Sequence, residues 1–331
     1  MGKNMMRHTE LYLAIVVILA LGMLACNSGK EDNSDQDPPG TELIQDKYFE
    51  KGFSLTPLHP DIVIQGGGFD KTCLDTLDFG LDGSSPVWRI AQWHSKYSLA
   101  NLVPSKGKDG SVFYMNEGKK VALHTDHSMH LEVNASREYD HPRIDGEQWP
   151  HLLISQDFKE RSPLVGEADQ IRFSIEIRLV KCENKMEEGT FNPSLHTAQT
   201  PFFFMVVNDN KESPDYQQRI WFGIPSYDYR RTKLTVDERI MWDKGTSTFM
   251  YSVPEQKIWG DVNLHDGEWH QGKADLKPLI LRALEAMKEK EVFLNTKPDD
   301  LKITGMTYGW EVPGIFDAAI RVRNISLQIL P

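Results

Sequence analysis

The stretch RIWFGIPSYDYR, which begins at Arg219, brings aromatic and charged side chains together at a spacing suited to binding a sugar. Its apolar residues alternate with Arg219 and Trp221, which predicts a strand with one face in the core and the other in solvent. Pro225 is expected to end this strand, so that SYDYRR forms a loop beside it. The C–H face of a pyranose packs on a flat aromatic ring, and its hydroxyls bond to Arg and carboxylate groups. The predicted ligand-binding residues are Arg219, Trp221, Tyr227, Tyr229 and Arg230. In the alternative interpretation, a helix or loop covers Trp221 and its indole is structural.

Candidate catalytic residues come from the acidic side chains. Hydrolysis of a glycoside needs two carboxylates about 5 Å or about 6.5–9.5 Å apart, and no stretch of this sequence fixes such a pair. Glu176, on the polar face of a predicted strand, and Glu311 are the candidates. A polysaccharide lyase would use a Tyr or His base beside an Arg, and residues of those types are Tyr227, Tyr229, Arg230 and His94. The sequence has no G-x-S-x-G, P-loop or dinucleotide fingerprint, which argues against serine hydrolases, NTPases and Rossmann enzymes.

Two tryptophan-containing stretches allow both a binding and a structural interpretation. In YGWEVPG, Trp310 and Glu311 form either a platform beside a carboxylate or an aromatic plug over the end of the fold, and we favour the plug. In PVWRIAQWHSKY, Trp88 and Trp93 are five residues apart and would lie on opposite faces of one strand. The more polar surroundings of Trp93 and His94 favour the surface for that end.

The stretch HTDHSMH contains side chains that bind divalent metals. His124 and Asp126 would share one face of a strand, and imidazole with carboxylate suits zinc. With Ser128 and His130 the row continues along the same face, and such a row along a single strand is too long for one ion to reach all of it. We therefore expect a solvated strand here, with no metal and no cofactor, and keep His124 and Asp126 as the metal candidates.

The elements that would position these residues are strands. Short apolar alternations broken by Gly, Pro, Asn and Asp predominate after about Tyr48. IRFSIEIRLV, from Ile171, alternates most regularly and predicts one buried face. PFFFMVVN, from Pro201, is apolar throughout, as in a strand covered on both faces. In FDAAIRVRNISLQIL the apolar positions change parity, which predicts a β-bulge near Arg323 and Asn324.

One helix interrupts this pattern. KADLKPLILRALEAMKEKE has apolar residues three and four apart, with Asp275 at its start. Strands throughout with one late α-helix predict an all-β fold, an antiparallel β-sandwich of jelly-roll, galactose-binding-like or concanavalin-like type. Residues 48–331 are expected to form this domain. Its less regular part, 48–161, either supplies strands to the same sandwich or forms a small subdomain.

The last fifth of the chain resembles jelly-roll carbohydrate-binding modules and related glycan-handling lipoproteins. The phrases that carry the resemblance are DGEWHQGKADLKPLILRAL, LKITGMTYGWEVPG and FDAAIRVRNISL. In those proteins a Trp-led strand runs into an Asp-Leu helix, and the final strands end in an Asn-hydrophobic-Ser-Leu phrase. The resemblance implies the jelly-roll fold and assigns no particular binding residue.

The N-terminus reads as an export signal. Basic residues including Lys3 and Arg7 precede an apolar run that is too short for an ordinary membrane span, and Cys26 follows at once. The phrase LGMLAC resembles a bacterial lipobox, with Met23 where that motif has Leu, Val or Ile. The resemblance implies cleavage before Cys26 and attachment of lipid to it. The alternatives are an uncleaved anchor and a plain secretory signal.

These features divide the chain. Residues 1–25 are the predicted lipoprotein signal peptide, and 26–47, which are polar and acidic, are a predicted disordered tether. The tripeptide KED behind the cysteine resembles the acidic export tag of Bacteroidota surface lipoproteins. We therefore expect an outer-membrane protein, lipid-anchored through Cys26 and exposed on the cell surface.

Charge and cysteine content limit the partners. The net charge is −11, and loss of Lys3, Arg7 and Glu10 with the signal would make it more negative. An acidic body argues against nucleic acid as the partner. Two further cysteines, Cys73 and Cys182, could pair in an oxidising compartment, and the sequence leaves this open.

The first functional hypothesis is a surface lipoprotein that binds a polysaccharide or oligosaccharide for an outer-membrane glycan importer. A polysaccharide lyase or glycoside hydrolase on the same fold is the second, and a structural or adhesion lipoprotein is the third. We favour the binding protein over the enzyme because the sequence fixes no catalytic pair.

Overall fold

Strands make up most of the regular structure in the computed structural model, which describes residues 40–66, 68–158, 161–243 and 246–331. The predicted signal peptide, Cys26 and the tether up to residue 39 lie outside these ranges. Within the ranges, every helix is too short or too polar to span a bilayer.

The first sheet has eight strands, in the order β15-β10-β17-β8-β7-β6-β5, with β1 also paired to β17. Their bounds are β1 (Thr41–Glu42), β5 (Ser105–Lys106), β6 (Val112–Met115), β7 (Lys119–Leu123), β8 (Met129–Asn134), β10 (Gln170–Asn184), β15 (His270–Asp275) and β17 (Phe316–Leu330). All of its strand pairs are antiparallel.

The second sheet has nine strands, in the order β13-β14-β12-β11-β16-β9-β4-β2-β3. Their bounds are β2 (Phe53–Leu55), β3 (Asp75–Leu77), β4 (Trp88–Ala91), β9 (His151–Asp157), β11 (Gln199–Asn208), β12 (Arg219–Asp228), β13 (Arg239–Asp243), β14 (Thr248–Ser252) and β16 (Leu301–Glu311). The pairs β12–β14 and β2–β4 are parallel, and the other pairs are antiparallel.

The two sheets pack face to face around one core. Phe173 of β10 lies 5.0 Å from Phe202 and 5.5 Å from Phe204 of β11, measured between ring centroids. Trp310 of β16 is fully buried, and its Nε1 donates to the Leu131 carbonyl of β8 across the core at 2.9 Å. The predicted all-β sandwich is therefore confirmed, and Trp310 belongs to its interior.

Local patterns in the sequence match most of these strands. The apolar residues of β10 from Ile171 to Ile177 are buried and alternate with partly exposed ones. The register between β10 and β17 shifts after Ser174, and Asn324 adopts a φ of 53°, so the predicted bulge is confirmed. The expectation that PFFFMVVN is covered on both faces is wrong, because Phe203 and Met205 on its outer face are only partly buried.

Helices are short and few among the described residues. Their bounds are α1 (Pro60–Gln65), α2 (Phe69–Thr72), α3 (Ala135–Glu138), α4 (Gln256–Trp259) and α5 (Lys277–Lys288). Helix α5 is the one that the sequence predicts, and the Asp275 carboxylate accepts the backbone N–H of Lys277 at 3.0 Å at its start. The other four span only one or two turns, which is too short for a helical period to show in the sequence.

Residues 40–331 form one compact unit. The region 48–161 supplies strands to both sheets, so it belongs to the same sandwich. The predicted tether is too long at its C-terminal end, because Thr41–Glu42 pairs with β17 and Leu43 and Ile44 are buried. Cys73 and Cys182 are both free thiols.

Candidate functional site

The structure separates the five predicted ligand-binding residues. Arg219 and Trp221 lie on the outer face of the nine-stranded sheet, opposite the buried Ile220. The Trp221 ring is 5.7 Å from the ring of Phe203, and its Nε1 donates to the Thr246 hydroxyl at 3.1 Å. Trp221 therefore faces away from the core and is held by its neighbours on the outer face.

Tyr227 lies at the far end of the same strand, and Tyr229 and Arg230 follow directly after it. Pro225 does not end β12, which continues to Asp228, so the predicted SYDYRR loop is wrong for Ser226–Asp228 and right for the turn that begins at Tyr229. Pro225 is opposite Pro201, and the register shifts between Pro201 and Gln199. Beyond this shift the Tyr227 ring is 3% exposed and packs on Trp310, with 5.8 Å between the ring centroids. The five residues therefore do not converge on one site.

The two candidate catalytic carboxylates do not form a pair. Glu176 lies on β10 of the eight-stranded sheet, between two buried isoleucines, and faces outward. Its carboxylate accepts hydrogen bonds from Arg323 Nε and Asn324 Nδ2, each at 2.8 Å. Glu311 lies on the outer face of β16 in the other sheet, next to the buried Trp310. The core of a sandwich, about 10 Å thick, separates the two side chains.

The metal candidates lie in a hairpin rather than along a strand. Strand β7 ends at Leu123 and β8 begins at Met129, so His124 and Asp126 are in the connection between them. Asp126 pairs with Arg321 at 2.7 Å, and His124 lies 3.3 Å from Asp109. Among the described residues, no group of three His, Cys, Asp or Glu side chains could hold a metal ion.

A different group of side chains meets around Glu311. Glu311 is directly opposite His151 of β9 on one side and Gln199 of β11 on the other. Directly opposite residues place their Cβ atoms about 4.5–5.5 Å apart. The next position in the row is Trp93, because the backbone N–H of His151 donates to the Trp93 carbonyl at 2.9 Å. We call Trp93, Trp149, His151, Gln199 and Glu311 the Glu311 cluster.

Aromatic rings enclose the His151 side of this cluster. The Trp149 ring stacks on His151 at 5.6 Å and an interplanar angle of 26°, and the Trp93 ring lies 6.0 Å from it. The His94 ring is 5.8 Å from His151, and the Arg143 guanidinium lies 4.9 Å above the Trp149 ring. The surroundings of His151 are therefore largely aromatic.

This environment changes the protonation of both titratable members. Burial raises the pKa of Glu311 above its usual range, and this outweighs the hydrogen bond from Gln199 Nε2 at 2.9 Å. The negative charge of Asp243 raises the same pKa further. Burial lowers the pKa of His151 to about 4, so its ring is neutral at pH 7. The cluster thus combines a carboxyl group that holds its proton more strongly with an uncharged imidazole.

Several polar atoms of the cluster have no partner in the described part of the chain. Trp93 Nε1, Trp149 Nε1 and His151 Nδ1 are closed off from solvent and form no hydrogen bond there. Buried polar groups are hydrogen-bonded in the great majority of cases, so three exceptions around one ring mark a place where water or a ligand supplies the partner. Two indole donors and one imidazole nitrogen suit hydroxyl groups, which both donate and accept.

Sequence reasoning reached Trp93 and Glu311 but missed Trp149, His151 and Gln199. The alternation of HLLISQD does place His151 on the polar face of a strand. What brings it next to Glu311 is the register between β9 and β16, whose residues are about half the chain apart. A local pattern carries no information on that register.

Comparison with known proteins found similarity in structure only. No family model matches the sequence, and no curated protein matches it. Solved structures of similar topology include an endoglucanase, Cel12A, from Rhodothermus marinus, 9% identical over 70% of this chain and 96% of that one, with a TM-score of 0.38. A family 12 xyloglucanase from Bacillus licheniformis is 8% identical over 69% and 97%, with a TM-score of 0.36. Endoglucanase 3 of Trichoderma harzianum is 9% identical over 74% and 99%, with a TM-score of 0.36. At these values the similarity does not extend to function, and the activities of those enzymes are not transferred to this chain.

Proposed function

We propose that this protein binds a glycan at the Glu311 cluster. The observation that carries the proposal is the set of three unpartnered polar atoms around His151, next to a carboxyl group with a raised pKa. A sugar offers C–H faces that pack on indole rings and hydroxyls that bond to uncharged donors and acceptors. An aromatic enclosure with neutral hydrogen-bonding groups fits that chemistry better than it fits an ionic ligand.

We further propose that the protein is a lipoprotein of the outer membrane, anchored through Cys26 and exposed on the cell surface. The apolar run, the LGMLAC phrase and the KED tripeptide support this proposal. A surface glycan-binding protein would deliver its ligand to an outer-membrane glycan importer. Replacement of Cys26 by Ser tests the anchor, because the variant should move from the membrane fraction to the soluble fraction.

Affinity gel electrophoresis over a panel of polysaccharides tests the binding site. The folded body should be retarded by at least one glycan, and Trp149→Ala and His151→Ala should each weaken that retardation about tenfold. Trp269→Ala is the matched control, because this indole lies against Arg321 and Arg323 of the eight-stranded sheet. If no glycan retards the protein, or if the control weakens binding as much as the two cluster variants, the proposal is wrong.

A glycoside hydrolase is the second candidate. It is favoured by one observation, the raised pKa of Glu311 in the presence of the Asp243 charge. A carboxyl group with a raised pKa, together with a second carboxylate, is the arrangement of a proton donor and its partner. Glu311 would then protonate the leaving glycosidic oxygen, and Asp243 would assist the attack on the anomeric carbon.

New reducing ends distinguish hydrolysis from binding alone. In an enzyme, Glu311→Gln should abolish their release while it leaves retardation in the gel within about threefold, because the amide keeps the shape of the carboxyl group. An absorbance from unsaturated uronates would instead indicate a lyase. A protein that is retarded by a glycan but releases no reducing ends is a binding protein. A protein that shows neither retardation nor release would support the structural or adhesion hypothesis.

A further inference from the structure

A cavity opens at one end of the sandwich, between the last residues of β12 and the middle of β10. Its volume is about 480 Å³, within the usual range for small-molecule sites. It is lined by Leu179, Cys182, Phe191, Pro193, Tyr227, Tyr229, Arg230, Thr232 and His265. We call it the Tyr229 cavity. We propose that it binds a single neutral sugar unit of the glycan, an inference that rests on the proposed function.

The charge of the lining argues against an anionic ligand. The Arg230 guanidinium pairs with Asp228 through two hydrogen bonds, Nε to Oδ1 at 3.0 Å and Nη2 to Oδ2 at 2.7 Å. Asp228 also accepts from the Thr197 hydroxyl at 2.7 Å. Burial raises the pKa of the Cys182 thiol to about 12, which keeps it uncharged. An anionic sugar such as a uronate would find no unpaired cation in this wall, so the ligand is neutral.

The aromatic wall offers a fixed ring face. Tyr229 is held between Phe316 and Phe191, with ring centroids 4.7 Å and 5.8 Å from its own. Tyr227 lies beside it and packs on His265 at 4.5 Å. A ring that is fixed before the ligand arrives loses little conformational entropy when a pyranose stacks on it.

Polar atoms stand around this ring face. The hydroxyls of Tyr229 and Thr232 form no hydrogen bond within the described part of the chain. His265 Nε2 donates to the Arg231 carbonyl at 2.6 Å, and its Nδ1 forms no hydrogen bond within the described part of the chain. Two hydroxyls and one ring nitrogen beside an aromatic face are the groups that hydroxyls of a neutral sugar require.

The cavity and the Glu311 cluster share a hydrogen-bonded connection. Arg230 Nη2 donates to Gln199 Oε1 at 3.4 Å, and Gln199 Nε2 donates to Glu311 Oε2 at 2.9 Å. Arg230 is part of the cavity wall, and Gln199 is part of the cluster. The cavity therefore lies at the end of the row of side chains that we propose to hold the glycan, where a terminal sugar unit would sit.

Saturation-transfer NMR with neutral methyl glycosides tests this inference. The probes are the methyl pyranosides of glucose, galactose, mannose and xylose, with glucuronate and galacturonate as charged comparators, each up to about 50 mM because a single ring is expected to bind with a millimolar Kd. At least one neutral glycoside should give a signal in the native protein. Tyr229→Ala and Thr232→Trp should each reduce it at least tenfold. Thr232 is exposed, so its replacement fills the mouth of the cavity and spares the core.

Two controls separate this inference from the proposed function. Tyr216→Ala removes an exposed tyrosine that does not line the cavity, and it should leave the signal unchanged. His151→Ala disrupts the Glu311 cluster and should weaken polysaccharide binding, and the loss of monosaccharide signal on Thr232→Trp should persist when it is combined with His151→Ala. The inference is overturned if no neutral glycoside binds, if only the uronates bind, or if His151→Ala removes the signal and Thr232→Trp does not. In the last case the cluster remains the glycan site and the cavity is empty of sugar.

Discussion

At the scale of the residue, Glu311 links the chemistry of the site to the stability of the fold. Its pKa is raised in the native state by burial, against a value near 4.5 for the free side chain. Between these two pKa values the native state binds more protons than the unfolded state, so native stability falls as pH rises through that window. Glu311→Gln removes this titration. The melting temperature of the variant relative to the native protein should therefore increase from pH 4 to pH 8.

The pKa of Glu132 is shifted in the opposite direction, so its contribution to stability has the opposite dependence on pH. Burial alone would raise its pKa, but hydrogen bonds from His130 at 3.0 Å and Lys181 at 2.7 Å outweigh it and lower the pKa to about 2. Its contribution to stability is present above about pH 4.5 and is lost as pH falls towards 2. Glu132→Gln should cost about 1–3 kcal/mol at pH 7 and almost nothing near pH 2, measured by denaturant unfolding. If both variants show the same trend with pH, the electrostatic account of Glu311 is wrong.

At the scale of the element, Gly309 keeps β16 next to β9. Its φ is 145°, and a Cβ atom there would lie 2.2 Å from the Leu152 carbonyl oxygen. The same pairing holds Glu311 opposite His151. Gly309→Ala should cost about 2–4 kcal/mol through strain and local displacement of the strand, and it should weaken glycan binding as well.

The matched substitution is Gly83→Ala, which adds a methyl group in open space. It should change the free energy of unfolding by less than about 0.5 kcal/mol. Thermal unfolding and gel retardation of the two variants give the comparison. Equal stability of both would show that the backbone at Gly309 tolerates a side chain and that this glycine does not fix the register of the site.

The elements themselves could largely be predicted from the sequence. Alternation along one strand is local, so the buried face of β10 and the bulge near Asn324 follow from residues a few positions apart. The prediction that Pro225 ends the strand was wrong because a proline fits in a strand where the facing residue does not need its N–H as a hydrogen-bond donor. The facing residue here is Pro201, which lies on another strand and cannot be identified from the local sequence. The site depends on the same kind of information. Glu311 and His151 meet only through a pairing between distant segments, which no local pattern contains.

At the scale of the whole molecule, the two outer faces differ in what they offer a ligand. On the eight-stranded sheet the charged groups pair with one another, as Arg321 does with Asp126 and Arg323 with Glu176. The nine-stranded sheet instead leaves polar atoms unpartnered around His151. Paired surface charges contribute little affinity for a neutral ligand, whereas unpartnered polar groups gain a hydrogen bond when one arrives. The Glu311 cluster therefore lies on the outer face of the nine-stranded sheet, and the Tyr229 cavity lies at the end of the sandwich, where residues of both sheets line it.

The N-terminal boundary of the folded unit is also a property of the whole molecule, because residues 42–44 contact or pack into the sandwich. The backbone N–H of Leu43 donates to the Leu327 carbonyl at 2.9 Å, and the Glu42 carboxylate accepts the backbone N–H of Leu327 at 2.8 Å. Leu43 and Ile44 are 0% and 2% exposed. Burial of two such side chains contributes about 3–6 kcal/mol.

Removal of residues 1–39 should leave the melting temperature within about 2 °C, whereas removal of residues 1–44 should lower it by roughly 5–15 °C. Differential scanning calorimetry of the two truncated proteins makes the comparison, and equal melting temperatures would mean that residues 40–44 belong to the tether after all.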